Sequence, residues 1–196
     1  MDPQPPTAKT PPARLPPDPR RVRPARVLFA EQGYVATTIA AISAAAEIPA
    51  QTIYSAFGNK PAILREIARI WIAEADTRRL AQESLTLTDP ADRLRAAAHW
   101  QTRQFETGID VIQIYQEAAR ADARMADEMH RIWAAREGEL KVFLKSFSFA
   151  MPARALDIFL ACTATEVYHL LVIDRHWPIK DYETWLGDTL VSQLLP

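Results

Sequence analysis

Glycine and cysteine are scarce in this chain of 196 residues, with five of the first and one of the second. The lone Cys162 excludes an intramolecular disulfide and leaves too little thiol for a cysteine-rich zinc site. Few glycines, and no alternating Val/Ile/Thr/aromatic runs bounded by turns, argue against a sheet. His99, His130, His169 and His176 show no HExxH or other metal spacing, and the chain has neither a glycine-rich phosphate loop nor a G-x-S-x-G elbow. No constellation of residues therefore supports an enzyme, and no metal or cofactor is implied. No apolar run approaching the ~20 residues of a membrane span stands out, and a signal-peptide core is lacking, so a soluble cytoplasmic protein is expected.

Proline is plentiful, at fifteen residues, and crowds the first nineteen positions. That stretch lacks apolar periodicity and reads as a disordered or polyproline-like tail. Hydrophobic residues make up 48 % of the chain, enough for a real core. Ala, Leu, Arg and Glu dominate beyond residue 20, which predicts an all-α fold. The net charge of −1 hides an asymmetry: residues 1–60 carry seven Lys/Arg against four Asp/Glu, and the remainder is acidic. Arg20, Arg21, Arg23 and Arg26 supply most of the basic excess. Such a cluster either solvates a helix face or attracts a phosphate backbone.

Residues 37–60, TTIAAISAAAEIPAQTIYSAFGNK, have the pattern of two short helices joined by a tight turn. Thr37 is placed to cap the first, and Ile39, Ile42 and Ala46 give it one apolar face. Glu47 and Ile48 occupy the turn, and Pro49 opens the second helix. Ile53 and Phe57 point inward there, leaving Ala50, Gln51, Thr52, Tyr54 and Ser55 outside. A buried Ile/Ala/Phe seam under a small polar outer face makes a helix-turn-helix. Gln51 is the best base reader, since its amide can pair twice with adenine. Thr52 or Ala50 can touch a thymine methyl, and Ser55 can bond a base or a phosphate.

Preceded by Leu28-Phe29-Ala30-Glu31-Gln32-Gly33-Tyr34, this stretch resembles the N-terminal domain of TetR-type (tetracycline-repressor-like) transcriptional regulators. The ordered set LF-x-E-x-G-Y, TT-I, T-I-Y-x-x-F and N-K carries the resemblance over residues 20–65. Beyond that, only length and helical layout are shared. The resemblance implies phosphate contacts from Thr38, Tyr54 and Lys60. It also implies a double-stranded DNA operator as partner. Four positions depart from the family. Pro24 falls where the helix is usually continuous, so the helix either begins near Arg23 or is kinked, with Arg20–Arg23 as a basic arm. Glu47 replaces a turn glycine and Pro49 a capping serine. Gln51 replaces a small residue, so it either reads a base or obstructs close approach.

The remaining helices are expected at about 60–84, 90–105, 109–123, 125–147, 152–174 and, capped by Asp181, to the C-terminus, nine in all. The domain boundaries follow as a tail (1–19), a three-helix DNA-binding head (20–65) and a six-helix body (66–196) for ligand binding and dimerisation. By resemblance, the last two helices pair with those of a second copy, and a small-molecule effector enters the body. Trp71, Trp100, Phe105, Tyr115, Trp133, Cys162, Glu166 and His169 are the candidates to line its cavity. The rival reading is a helical binding or interaction module whose head no longer engages DNA.

Overall fold

The computed structural model describes residues 19–147 and 151–195, and the proline-rich tail expected over 1–19 lies almost wholly outside them. Ten α-helices are present among the described residues, and no strand. The all-α expectation holds. The count of nine does not, because two expected long helices are broken and the two expected at 90–105 and 109–123 run on as one.

The head opens with α1 (Pro19–Gln32), which carries Pro24 inside it. The segment around Arg20–Arg23 is thus helix and not an arm. Pro24 removes one backbone donor from the ladder. Gly33 ends the helix at φ +88°, a conformation that favours glycine. Next come α2 (Ile39–Ala46) and α3 (Ala50–Phe57). The cap of α2 is Thr38, whose side chain accepts from the Ala41 N–H at 3.1 Å. Thr37, the expected cap, is buried instead, and its hydroxyl donates to the carbonyls of Gly33 and Leu28. Its neighbour alone has the exposed, extended geometry that a cap needs.

Asn59 caps α4 (Lys60–Ala75), which ends where Asp76 turns left-handed at φ 52°; α5 (Thr77–Ser84) follows in a new direction. The single helix expected over 60–84 is therefore two. Asp89 caps α6 (Pro90–Ala121), the longest element, which kinks at Gly108. A Cβ at Gly108 would collide with the Trp71 indole, so close approach rather than dihedral freedom demands glycine there. Asp122 then caps α7 (Ala123–Lys145).

The apolar helix expected over 152–174 is in pieces: α8 (Ala155–Cys162), α9 (Thr165–Tyr168) and a π-helical stretch, His169–Asp174. By length and mean hydropathy (1.6), residues 155–174 do qualify as a candidate span, contrary to the sequence expectation. Only 22 % of that window is buried. Pro178, not Asp181, caps α10 (Ile179–Leu194), and Asp181 sits in its first turn.

Two hydrophobic cores result. The first joins α1–α4 to the far half of α6 and the start of α7, with Phe29, Ile42, Ile53, Leu64, Trp71, Val111, Ile114 and Met125 among its members. The second joins the near half of α6 to α7, α8, α9 and α10 through Leu94, Phe105, Phe143, Phe159, Tyr182 and Leu190. The Gly108 kink marks the boundary between them.

Candidate nucleic-acid interface

On α3, Ile53 is buried and Phe57 packs against the first core, so the opposite face is turned outward. Gln51, Thr52, Tyr54 and Ser55 are exposed there, with Ala50 half-buried. Tyr54 is 50 % exposed. The Ser55 hydroxyl donates to the Gln51 carbonyl at 2.8 Å, which leaves its oxygen to accept from outside. The helix carries no charged side chain, so this face would engage bases by hydrogen bonds and van der Waals contact. Thr38 is exposed at the start of α2; its oxygen serves the cap, and its O–H remains free to donate.

Lys60 has a different task from the phosphate contact expected of it. Its ammonium donates to the carbonyls of Tyr34 (2.6 Å), Thr37 (3.0 Å) and Val35 (3.1 Å) and lies 4.5 Å from the Tyr34 ring centroid. An ammonium has three N–H donors, and all are engaged. Burial lowers its pKa, opposed by the nearby Glu117 carboxylate. The start of α4 offers an anion little else, since Pro61 has no N–H and the Ala62 N–H bonds the Asn59 cap.

The same loop is held from its other side. Glu117, on the far half of α6, accepts the backbone N–H groups of Tyr34 (2.9 Å) and Val35 (3.1 Å). These two bonds hold its carboxyl pKa below the ordinary range. Arg26, counted from sequence among the DNA-facing cations, instead forms a two-pronged ion pair with Asp110, 2.7 Å on each prong, and donates to the Thr107 carbonyl at 2.8 Å. Trp71 Nε1 reaches the Gln104 carbonyl and the Thr107 hydroxyl, both at 3.2 Å. Sequence reasoning missed Glu117, Asp110 and Gln104 as partners, because bonds that join positions 33 to 84 residues apart leave no local pattern.

The eight cavity candidates do not come together. Trp71 and Tyr115 belong to the first core, and Trp100 and Phe105 to the second. Trp100 stacks on Phe159 and meets Phe143 edge-on, and Phe105 packs on Tyr168. Trp133 and Cys162 are half-buried, while Glu166 is exposed and bonded to the Thr165 hydroxyl. His169 lies 3.5 Å from Asp174. Two hollows, of about 540 and 440 Å³, open beside α1, and none of the eight lines either.

Residues 22–67, which span most of α1 through the first turns of α4, match the model of the tetR family of bacterial regulatory proteins. That match assigns the head, and the head alone, to the tetR type. Solved structures share the fold over nearly the whole length. The TetR-family regulator PfmR of Thermus thermophilus is 19 % identical, with 87 % of this chain and 97 % of that one covered and a TM-score of 0.67. The ketosteroid regulator KstR2 of Mycobacterium tuberculosis is 18 % identical, with 94 % and 99 % covered and a TM-score of 0.69. A putative regulator from Saccharomonospora viridis, solved in complex with choline, is 17 % identical, with 89 % and 95 % covered and a TM-score of 0.68. No curated protein matches the sequence. The chain thus shares its fold with these regulators along most of its length, and its family signature lies in the head.

Proposed function

We infer that the protein is an effector-released repressor that binds a palindromic operator as a homodimer. The observation that carries this reading is the outward face of α3, in a head whose α1–α2 loop is gripped through both its carbonyls and its N–H groups. Rigid mounting lets a short uncharged helix present Gln51, Thr52, Tyr54 and Ser55 in one register, with Ala50 beside them. Thr38 and Tyr54 would contact phosphates, with Lys60 stiffening the mount from within. The head occupies residues 20–65 and the body 66–196, although the core of the head borrows from α4 and α6.

Dimerisation through α8–α10 is favoured by the apolar surface left outside the monomer, where Leu170 and Ile173 are 49 % and 43 % exposed. Unsealed apolar surface of this kind marks an interaction site. An effector in the body would draw on Trp100, Phe105 and Trp133, and would act by preferring the head spacing that mismatches the operator. A repressor of this kind acts where the chromosome is, which in a bacterium is the cytoplasm.

One reading rivals this one. Lys60 and Arg26 are both engaged inside the protein, and α3 has no cation. Those facts favour a body that senses a ligand under a head that no longer binds DNA. Fluorescence anisotropy on DNA from the protein's own upstream region, with scrambled DNA as control, separates the two. Salt-sensitive binding to the native sequence, weakened by Gln51→Ala and Tyr54→Phe, supports the repressor. Equal, weak binding to both DNAs, followed by an empty genome-wide pull-down, supports the rival.

A further inference from the structure

Five side-chain atoms are buried without a hydrogen-bond partner among the described residues: Arg93 Nε, Trp100 Nε1, Gln101 Nε2, Thr102 Oγ1 and Tyr182 Oη. One of them adjoins a charge. Arg136 lies on the inward stripe of α7, four residues before the buried Leu140 and seven before Phe143. Its Nη2 donates to Gln101 Oε1 at 2.6 Å, and its guanidinium lies 5.5 Å from the Trp133 ring centroid. Among the described residues, that amide oxygen is its only hydrogen-bond acceptor, and no carboxylate pairs with it. Burial lowers the guanidinium pKa, with no neighbouring negative charge to oppose the effect.

A guanidinium has five N–H donors, and the structure uses one here. Gln101 is fully buried, and its NH2 has no acceptor. Oε1 and Nε2 share one planar amide, so the unsatisfied donor sits on the same side chain that Arg136 grips. A desolvated cation beside an unsatisfied donor is costly unless an anion completes the set. One positive charge and one amide balance a single negative charge. Two planar oxygens match the guanidinium fork. A monocarboxylate fits those terms better than a phosphate dianion does.

Arg136 is itself only half-buried, and the middle of α7 around it is thinly covered. That helix buries Met125 at one end and Leu140, Phe143 and Leu144 at the other, and nothing apolar between. Met129 and Trp133 are half-buried and Ile132 is 52 % exposed, all on the same face as Arg136. We propose that the effector is a small organic carboxylate on an apolar or aromatic frame. Its anionic group docks on Arg136 and the Gln101 amide, and its frame lies against Trp133 and Met129. This deepens the ligand-responsive reading above and rests on it.

The test titrates benzoate and octanoate into the full-length protein at constant ionic strength, with benzamide and octanamide as neutral controls. Tryptophan fluorescence and thermal melting are followed. At least one carboxylate should bind saturably and raise Tm. Its amide, and the Arg136→Met variant, should each weaken binding by about tenfold or more, the scale of a charge-assisted contact. Without ligand, Arg136→Met should melt at or above the wild-type temperature, because it removes an uncompensated charge. Flat titrations with both carboxylates through the millimolar range would overturn the site, as would equally tight amides or unchanged affinity in Arg136→Met. If that variant folds poorly, Arg136→Lys, which keeps the charge and loses the fork, must still weaken binding. Failure of the ligand-free protein to bind DNA would defeat the regulator reading and leave the carboxylate result standing.

Discussion

The two cores satisfy their polar groups differently. In the head, a charged group grips each side of the α1–α2 loop, Thr37 closes it, and Arg26 is paired twice. In the body, five buried polar atoms have no partner, four of them on α6. Native interiors normally leave few such atoms. The contrast separates a part held in one shape from a part with unmet hydrogen-bonding capacity. It also predicts that polar-to-apolar changes cost stability on the head side and little on the body side.

The largest effect should come from the boundary between the cores. Gly108→Ala sets a methyl group into the Trp71 indole, and overpacking of this kind costs about 3 kcal/mol. Urea melts should show it, and an unchanged midpoint would mean that the kink is not tightly packed.

Next in size is Glu117→Gln, which should lose about 1–2 kcal/mol by weakening two charge-assisted bonds to the loop. Its pH dependence has a definite sign. The Glu117 pKa is depressed in the folded state, so its contribution is complete above the ordinary carboxylate pKa. It is lost as pH falls through the depressed value. Wild type should therefore lose more stability than Glu117→Gln between neutral and strongly acidic pH. Parallel pH profiles would remove Glu117 from the clasp.

Glu47→Gly should stabilise by about 0.5–1 kcal/mol, since Glu47 sits at φ 54° where glycine is unstrained. Operator binding should tighten as well, because a negative charge leaves the groove side. The smallest change, Tyr182→Phe, removes a buried hydroxyl that has no partner, and should be neutral or stabilising by up to about 1 kcal/mol. Clear destabilisation there would mean that the body is as well satisfied as the head.

Much of the head was legible in sequence because its signals are local. Ile39, Ile42, Ile53 and Phe57 repeat at helical spacing, and Gly33 marks a left-handed end. The interruption at Gly108 was legible too, though its cause, an indole 37 residues earlier, was not. The break at Asp76 escaped because neither Gly nor Pro marks it, and a non-glycine residue seldom turns left-handed. The apolar run after Pro152 hid its break at Thr163 and Ala164 in the same way, with neither Gly nor Pro to mark it. The candidate interface was legible as a face, since alternation along α3 shows which residues point out. The fate of Lys60 and Arg26 was not, because a cation reads alike whether it meets a phosphate or a carbonyl.

One consequence of the shared α6 concerns dissection. A fragment ending at residue 65 would lack Ile67, Trp71, Ala75, Val111, Ile114, Tyr115, Ala118 and Met125, half of the buried residues of the first core. It would also lack the acceptors for Arg26 and for the loop amides. The reading head is therefore not a transplantable cassette. A hybrid regulator built from it must carry α4 and the stretch from Gly108 to Met125 along with the graft.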